Sequence, residues 1–144
     1  MKAQHEMTRR VEAAQATLDR FIDKPFTWGK NDCARMVAFH LRKLGHRPAL
    51  AKAGSYRSAL SARAALKRLG HEGLADALDA LGLARIPPAA AVVGDILEIP
   101  GSDALGALAV AVGNGRVIGY HEDATGAVVV QPTSFLSAWR VWPR

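Results

Sequence analysis

In the first eighty residues, the hydrophobic positions recur at helical spacing. They predict an amphipathic helix that starts near Thr8 and ends before Pro25, and a second that begins near Cys33 and stops at Gly45. The apolar stripe of the first helix comprises Val11, Ala14, Leu18, Phe21 and Ile22, and that of the second comprises Met36, Val37, His40, Leu41 and Leu44. The chain therefore begins with two helices that each need a partner surface to cover one face.

Two further helices are predicted before the pattern changes. One runs from about Ser55 to Leu69, with its leucines facing inward, and a short one runs from about Gly73 to Leu81. The inward leucines of the longer helix are Leu60, Leu66 and Leu69. The segment Ile86-Pro87-Pro88 ends the helical part, because proline cannot continue a helix.

Short apolar or alternating runs divided by Gly, Asn, Asp or Pro predict a second half made of strands. The runs are Asp95 to Ile99, Leu105 to Val112, Arg116 to Tyr120, Ala127 to Gln131 and Ala138 to Trp142. Asn114-Gly115 predicts a two-residue type I′ hairpin, and Asp123 to Gly126 predicts the next turn. The spacing of Trp139, Val141 and Trp142 indicates an edge strand with at least one aromatic side chain buried.

Helices followed by strands predict an α+β fold in which N-terminal helices pack on a C-terminal antiparallel sheet. We expect one domain over residues 1–144, with the helical half at about 8–82 and the strand half at about 92–143. A chain of 144 residues with a hydrophobic content of 49% can form a core without disulfide or metal cross-links. A single cysteine excludes an internal disulfide bond. No signal-peptide segment and no apolar run of about 20 residues is found, so we expect cytoplasmic synthesis and no membrane span.

The charge of the chain is unevenly distributed. The net charge is +6, and nine Lys or Arg residues with no Asp or Glu lie between Cys33 and His71. Such a surface attracts nucleic acid, an anionic polymer or an acidic protein patch; the alternative is a solvated helical face without a partner. Few aromatic residues, among them Tyr56, interleave with these charges, which argues against specific nucleic-acid binding. The predicted basic surface consists of Arg57, Arg63, Lys67 and Arg68.

The only cysteine, Cys33, lies where the second helix begins. Unpaired amides at a helix N-terminus stabilise a thiolate, the nucleophilic form of cysteine. Asn31 or Asp32 can cap this helix. The alternative is that Cys33 is a small buried hydrophobic side chain. Scattered histidines and a lone cysteine lack the spacing of a zinc site, so we expect no metal and no cofactor.

Four segments resemble the NlpC/P60 superfamily of small papain-like cysteine hydrolases. Phe26 to Cys33 reads Phe-Thr-Trp-Gly-Lys-Asn-Asp-Cys, like the nucleophile segment, and Val93 to Leu97 is similar to the entry into the first strand of the family's sheet. Leu108 to Gly115 is similar to the strand and hairpin that follow the catalytic histidine. The likeness is greatest to short proteins of phage and prophage tail modules, which share an ending like Ala138 to Val141.

The resemblance implies a papain-like fold with Cys33 as nucleophile and Trp28, Gly29 and Asp32 as supporting residues. In active family members, a histidine begins the strand that leads to the Gly-Asn-Gly turn. The matching position in this chain is Ala107, so the catalytic base of the family is missing. The position of the residue that would orient the base falls near Gly119, which again lacks a suitable side chain. Five histidines remain as substitutes: His5, His40, His46, His71 and His121.

His121 is the only histidine on the strand half and is the candidate base. His40 follows Cys33 by seven residues, about 10 Å along a helix, which is too far for contact. Two hypotheses follow. The first is a catalytically inactive phage or prophage tail protein that binds other virion proteins, with an anionic polymer as a further partner, and that is located in the virion. The alternative is an active cysteine peptidase or amidase acting on cell-wall peptides, with Cys33 as nucleophile and His121 as base.

Overall fold

The computed structural model describes residues 2–101, 107–121 and 125–144. Its four α-helices are α1 (Lys2–Phe21), α2 (Cys33–Lys43), α3 (Ala59–Arg68) and α4 (Leu74–Ala80). Short 3₁₀ helices span Ala49–Ala53 and Pro88–Ala90. The strands are β1 (Ala84–Ile86), β2 (Ile96–Ile99), β3 (Ala107–Gly113), β4 (Arg116–Gly119), β5 (Val128–Val130) and β6 (Ser137–Arg140). Over these ranges, no helix is both long enough and apolar enough to cross a membrane.

The six strands form one antiparallel sheet in the order β1-β6-β2-β3-β4-β5. The predicted α+β class and the antiparallel sheet are thereby confirmed. The prediction that the last strand lies at an edge is wrong, because β6 pairs with both β1 and β2. β1 itself was not predicted, since it has only three residues, of which Ala84 and Arg85 are exposed and give no apolar alternation.

The helices cover one face of the sheet, and a smaller apolar cluster lies on the other. Along β3, Leu108 and Val110 join the large core beneath the helices, whereas Ala109 and Ala111 join the smaller cluster. Successive strand residues point to opposite faces, so this alternation assigns every position of β3 to a face. Trp139 is completely buried in the large core.

Several predicted helix positions need correction. Val11 of α1 and Ile22, just beyond its end, are 50% and 47% exposed, so neither belongs to the inward stripe. Leu60, predicted to face inward, is 81% exposed. α3 starts later than predicted because Ser58 caps it, exchanging side-chain and backbone hydrogen bonds with Ser61 in a capping box.

The predicted hairpin between β3 and β4 is confirmed. Asn114 and Gly115 both have positive φ values, 57° and 74°, as a type I′ turn requires. Gly113, with φ 99°, lies where the register between the two strands shifts. Leu105, the predicted start of β3, and Asp123, the predicted start of the next turn, lie outside the described residues.

Asp95 holds helix α1 against the sheet. Its carboxylate is completely buried and accepts hydrogen bonds from Arg10 Nη1 and Arg140 Nε, both at 3.0 Å. The backbone amides of Val92 and Val141 also donate to it at 3.0 Å. Two segments of the resemblance, one around Asp95 and one at the C-terminal end, therefore meet at this carboxylate and serve the fold.

Candidate functional site

The loop before α2 forms a tight turn closed by backbone hydrogen bonds between Thr27 and Asn31. Gly29 has φ +81°, and a Cβ there would lie 2.2 Å from the carbonyl oxygen of Tyr56. Both the conformation and the close approach require glycine. This constraint explains the glycine of the Trp28-Gly29 pair.

Asp32, one of the two predicted caps, is the N-cap of α2. Its carboxylate accepts hydrogen bonds from the backbone amides of Arg35 and Gly29, each at 2.8 Å. Asp32 is 1% exposed, so its carboxylate forms hydrogen bonds with groups of the protein and is shielded from solvent. Asp32 thus fixes both the loop and the first turn of the helix.

Cys33 is the first residue of α2 and is half-buried. It lies in a small recess with Trp28, Asp32, Tyr56 and several apolar side chains. Burial raises the pKa of Tyr56. The Asp32 carboxylate, which accepts a hydrogen bond from the Tyr56 hydroxyl group, raises this pKa further. The phenol therefore stays protonated and acts as a neutral polar group on the wall beside the thiol.

Aromatic rings connect this recess to the sheet. The ring of Phe26 lies edge-on to Trp28 at 5.0 Å and to Tyr120 at 5.5 Å. Tyr120, which follows β4, also contacts Phe21 at 5.8 Å and donates a hydrogen bond to the carbonyl oxygen of Lys24. Such edge-to-face contacts position the loop that carries Trp28.

Beside the recess lies an open depression of about 470 Å³, which we call the basic depression. Its cationic side chains are Lys30, Arg35 and Arg57, and Trp28 and Tyr56 also line it. The Arg35 guanidinium lies 5.2 Å from the centre of the Tyr56 ring and donates to the carbonyl oxygen of Gly54 at 2.9 Å. No acidic side chain lines the depression within the described part of the chain, so its chemistry favours an anionic group.

The predicted basic surface is divided between two places. Arg57 lines the basic depression, whereas Arg63, Lys67 and Arg68 lie on α3. Arg68 donates to the carbonyl oxygen of Ala53 at 3.3 Å and so also braces the neighbouring 3₁₀ helix. Sequence reasoning did not single out Arg35, although it follows Cys33 within the first turn of the helix.

His40 belongs to the core. It is completely buried, with Nε2 2.8 Å from the carbonyl oxygen of Gly94 and Nδ1 3.3 Å from Thr17 Oγ1. Because a carbonyl oxygen only accepts, Nε2 carries a proton and donates it to Gly94. The Thr17 hydroxyl group, which donates to the carbonyl oxygen of Ala13 at 2.8 Å, lies beside Nδ1. Burial lowers the pKa of His40 and keeps the ring neutral.

The other histidines lie in separate environments. His46 Nε2 donates to the carbonyl oxygen of Trp142 at 2.7 Å, and His71 Nδ1 lies 3.7 Å from Asp76. His5 is exposed on α1. His121 is exposed after β4, at a position that alternation assigns to the sheet face opposite the helices.

His121 is therefore not brought to Cys33, since α2 packs on the inner face of the sheet. The same alternation places Ala107, the position that aligns with the family histidine, on the outer face, where it packs on the smaller cluster. Leu108 is the first residue of β3 to face the helices, and it lines a cavity with Ala34 and other residues of α2. Gly119 lies near the His121 ring, because a Cβ added to Gly119 would lie 4.0 Å from His121 Nε2.

Among the described residues, no three His, Cys, Asp or Glu side chains are grouped so as to hold a metal ion. No curated protein matches the chain significantly. The model of one family, described as a domain of unknown function (DUF6950), matches residues 6–141. Because this match covers almost the whole sequence, the chain belongs to the DUF6950 family.

Proposed function

We propose that this protein is a binding and assembly module of a phage or prophage tail, with a papain-like arrangement that does not hydrolyse its partner. The observation that carries the proposal is the side-chain pattern at the start of β3. There Leu108 faces the helices and Ala107 faces the opposite side of the sheet. A strand with this pattern offers an apolar surface, where a cysteine hydrolase would need an imidazole to exchange protons.

The roles of the motif residues support the same proposal. Gly29 and Asp32 fix the loop and cap α2, while Asp95 joins α1 to the sheet through Arg10 and also binds Arg140 of β6. Each of these side chains or glycines has a structural contact that explains its residue type. These contacts support a scaffold role for the four residues, which requires no hydrolysis.

The basic depression is the surface that we assign to the partner. Its three cations and two aromatic rings suit an acidic segment of another virion protein, because guanidinium groups bind carboxylates and aromatic rings add apolar contact. Lys30 and Arg57 are exposed, so both are accessible to such a segment. The protein would then be incorporated by charge complementarity.

Incorporation into particles tests this proposal. Reversing two charges of the depression, with Lys30→Glu and Arg57→Glu together, should remove the protein from purified particles while the variant still folds. The matched control reverses two exposed charges elsewhere, Arg42→Glu and Arg116→Glu, and should be incorporated normally. Cys33→Ala should leave particle yield and infectivity unchanged. Normal incorporation of the depression variant would refute the assignment.

A second candidate function, a cell-wall peptidase or amidase, is favoured by one observation. Cys33 occupies the first position of α2 in a recess that is also lined by Tyr56 and Trp28. In this case the purified protein would release free amino groups from peptidoglycan, and Cys33→Ser would abolish the release. We expect no release from the wild-type protein above the level of the Cys33→Ser variant.

A further inference from the structure

A second cavity, of about 310 Å³, lies on the other side of the apolar wall behind Cys33. Its floor is made of buried side chains, including Val37, Leu41 and Leu108. Arg47 and Ala80 also line it and are exposed, so the cavity opens to the surface at its rim. Ligand sites in proteins are commonly apolar recesses of this size with a few polar groups at one end.

The polar groups at this rim are cationic or basic. Arg47 and His71 are the titratable side chains in the lining, which otherwise consists of aliphatic residues and a proline. Arg47 makes no hydrogen bond or ion pair with a side chain in the described part of the chain, whereas His71 lies 3.7 Å from Asp76. The guanidinium of Arg47 is thus available to an anionic group at the mouth of an apolar cavity.

The size of the cavity limits the ligand. A cavity of about 150 Å³ lined by aliphatic and aromatic side chains holds one benzene molecule, so a volume of 310 Å³ suits roughly a dozen non-hydrogen atoms. We propose that the cavity binds a small apolar carboxylate of about the size of a ten-carbon fatty acid. The chain of the ligand lies on the floor around Leu108, and its carboxylate binds Arg47.

This site is separate from the partner surface assigned above. Ala34, Leu66 and Leu74 belong to the walls of both the cavity and the Cys33 recess, but the thiol itself lies outside the cavity lining. Binding of the carboxylate needs neither the thiol nor the basic depression. The two proposals can therefore fail independently of each other.

Isothermal titration of the full chain with sodium decanoate tests the proposal. Decanoate should bind, and Arg47→Gln should weaken its binding about tenfold or more, because a charge-assisted hydrogen bond is lost. The control Arg42→Gln, an exposed position of α2 outside the lining, should bind as the wild type does. Ala77→Leu should occupy part of the cavity and weaken binding, whereas Ala64→Leu, exposed on α3, should not.

Three results would overturn the proposal. The first is no binding of decanoate. The second is binding of decanol as tight as that of decanoate and unaffected by Arg47→Gln, which would make the ligand neutral. The third is co-sedimentation with phosphatidylglycerol vesicles without binding of free decanoate, which would make the anion a lipid headgroup. Nuclear Overhauser contacts between decanoate and the Leu108 methyl groups locate the ligand in the wild type, whether or not the variants fold.

Discussion

Replacing Asp95 by alanine is the sharpest test of how the fold is held together. Four hydrogen bonds converge on this carboxylate, and two of their donors are arginines. Arg10 is 3% exposed and Asp95 is not exposed, so the substitution leaves a guanidinium group buried without its counter-charge. The amide of Val141 also loses its acceptor.

The expected cost follows from these contacts. Removing one partner of a buried ion pair costs about 3–5 kcal/mol, because the remaining charge is left in a poorly solvating environment. We therefore expect Asp95→Ala to lower the free energy of unfolding by about 4 kcal/mol. At roughly 3 °C per kcal/mol for a chain of this length, the melting temperature should fall by about 12 °C.

Urea unfolding followed by circular dichroism measures this loss directly. The control Asp19→Ala removes an exposed carboxylate of α1 that accepts one hydrogen bond from Gln15, and it should cost less than about 0.5 kcal/mol. A loss below about 1 kcal/mol for Asp95→Ala would show that the two arginines find other partners or water. The reasoning that this carboxylate anchors α1 would then be refuted.

Three further predictions concern single groups. Burial lowers the pKa of His40 below 6.5, so at acid pH the unfolded chain binds a proton at this residue that the folded chain does not bind. The free energy of unfolding should therefore rise from pH 5 to pH 7, and His40→Gln should flatten that rise in urea titrations. Hydrogen bonds from Arg85 and Trp139 lower the pKa of Asp79 to about 2, so the ionised carboxylate stabilises the fold above about pH 4, and this stabilisation is lost as the pH falls from about 4 to 2. In thermal melts over this pH range, the melting temperature of Asp79→Asn should fall less than that of the wild type. A Cβ on Gly126 would lie 1.7 Å from the carbonyl oxygen of Ile22. Gly126→Ala should therefore cost about 2 kcal/mol through overpacking and lower the melting temperature by several degrees.

Much of the fold was predictable because local signals coincide with tertiary contacts. α2 begins at Cys33 after an Asp cap, and the Asn114-Gly115 turn has the predicted geometry. The errors lie where the apolar pattern and burial disagree. Leu60 fits a helical stripe by spacing, but it lies two residues after the Ser58 cap, on the exposed side of the first turn.

The candidate site was predictable only in its local part. The Trp-Gly and Asp-Cys pairs indicated the loop and the start of α2, because the Asp32 cap depends on residues within three positions of it. Tyr56 and Arg57 reach the same site from a segment over twenty residues away, and a single sequence contains no signal for that approach. The face on which Ala107 and Leu108 point depends likewise on the register of a strand in the complete sheet.

The central position of β6 has a consequence for biosynthesis. β1 and β2 leave the ribosome long before β6, yet each pairs with β6 along one of its edges. A nascent chain that lacks this strand has two unpaired backbone edges and an uncovered cavity where Trp139 would sit, and such edges favour intermolecular pairing. Folding to the final sheet is therefore completed after translation of the β6 segment, and chains truncated before Ser137 should aggregate.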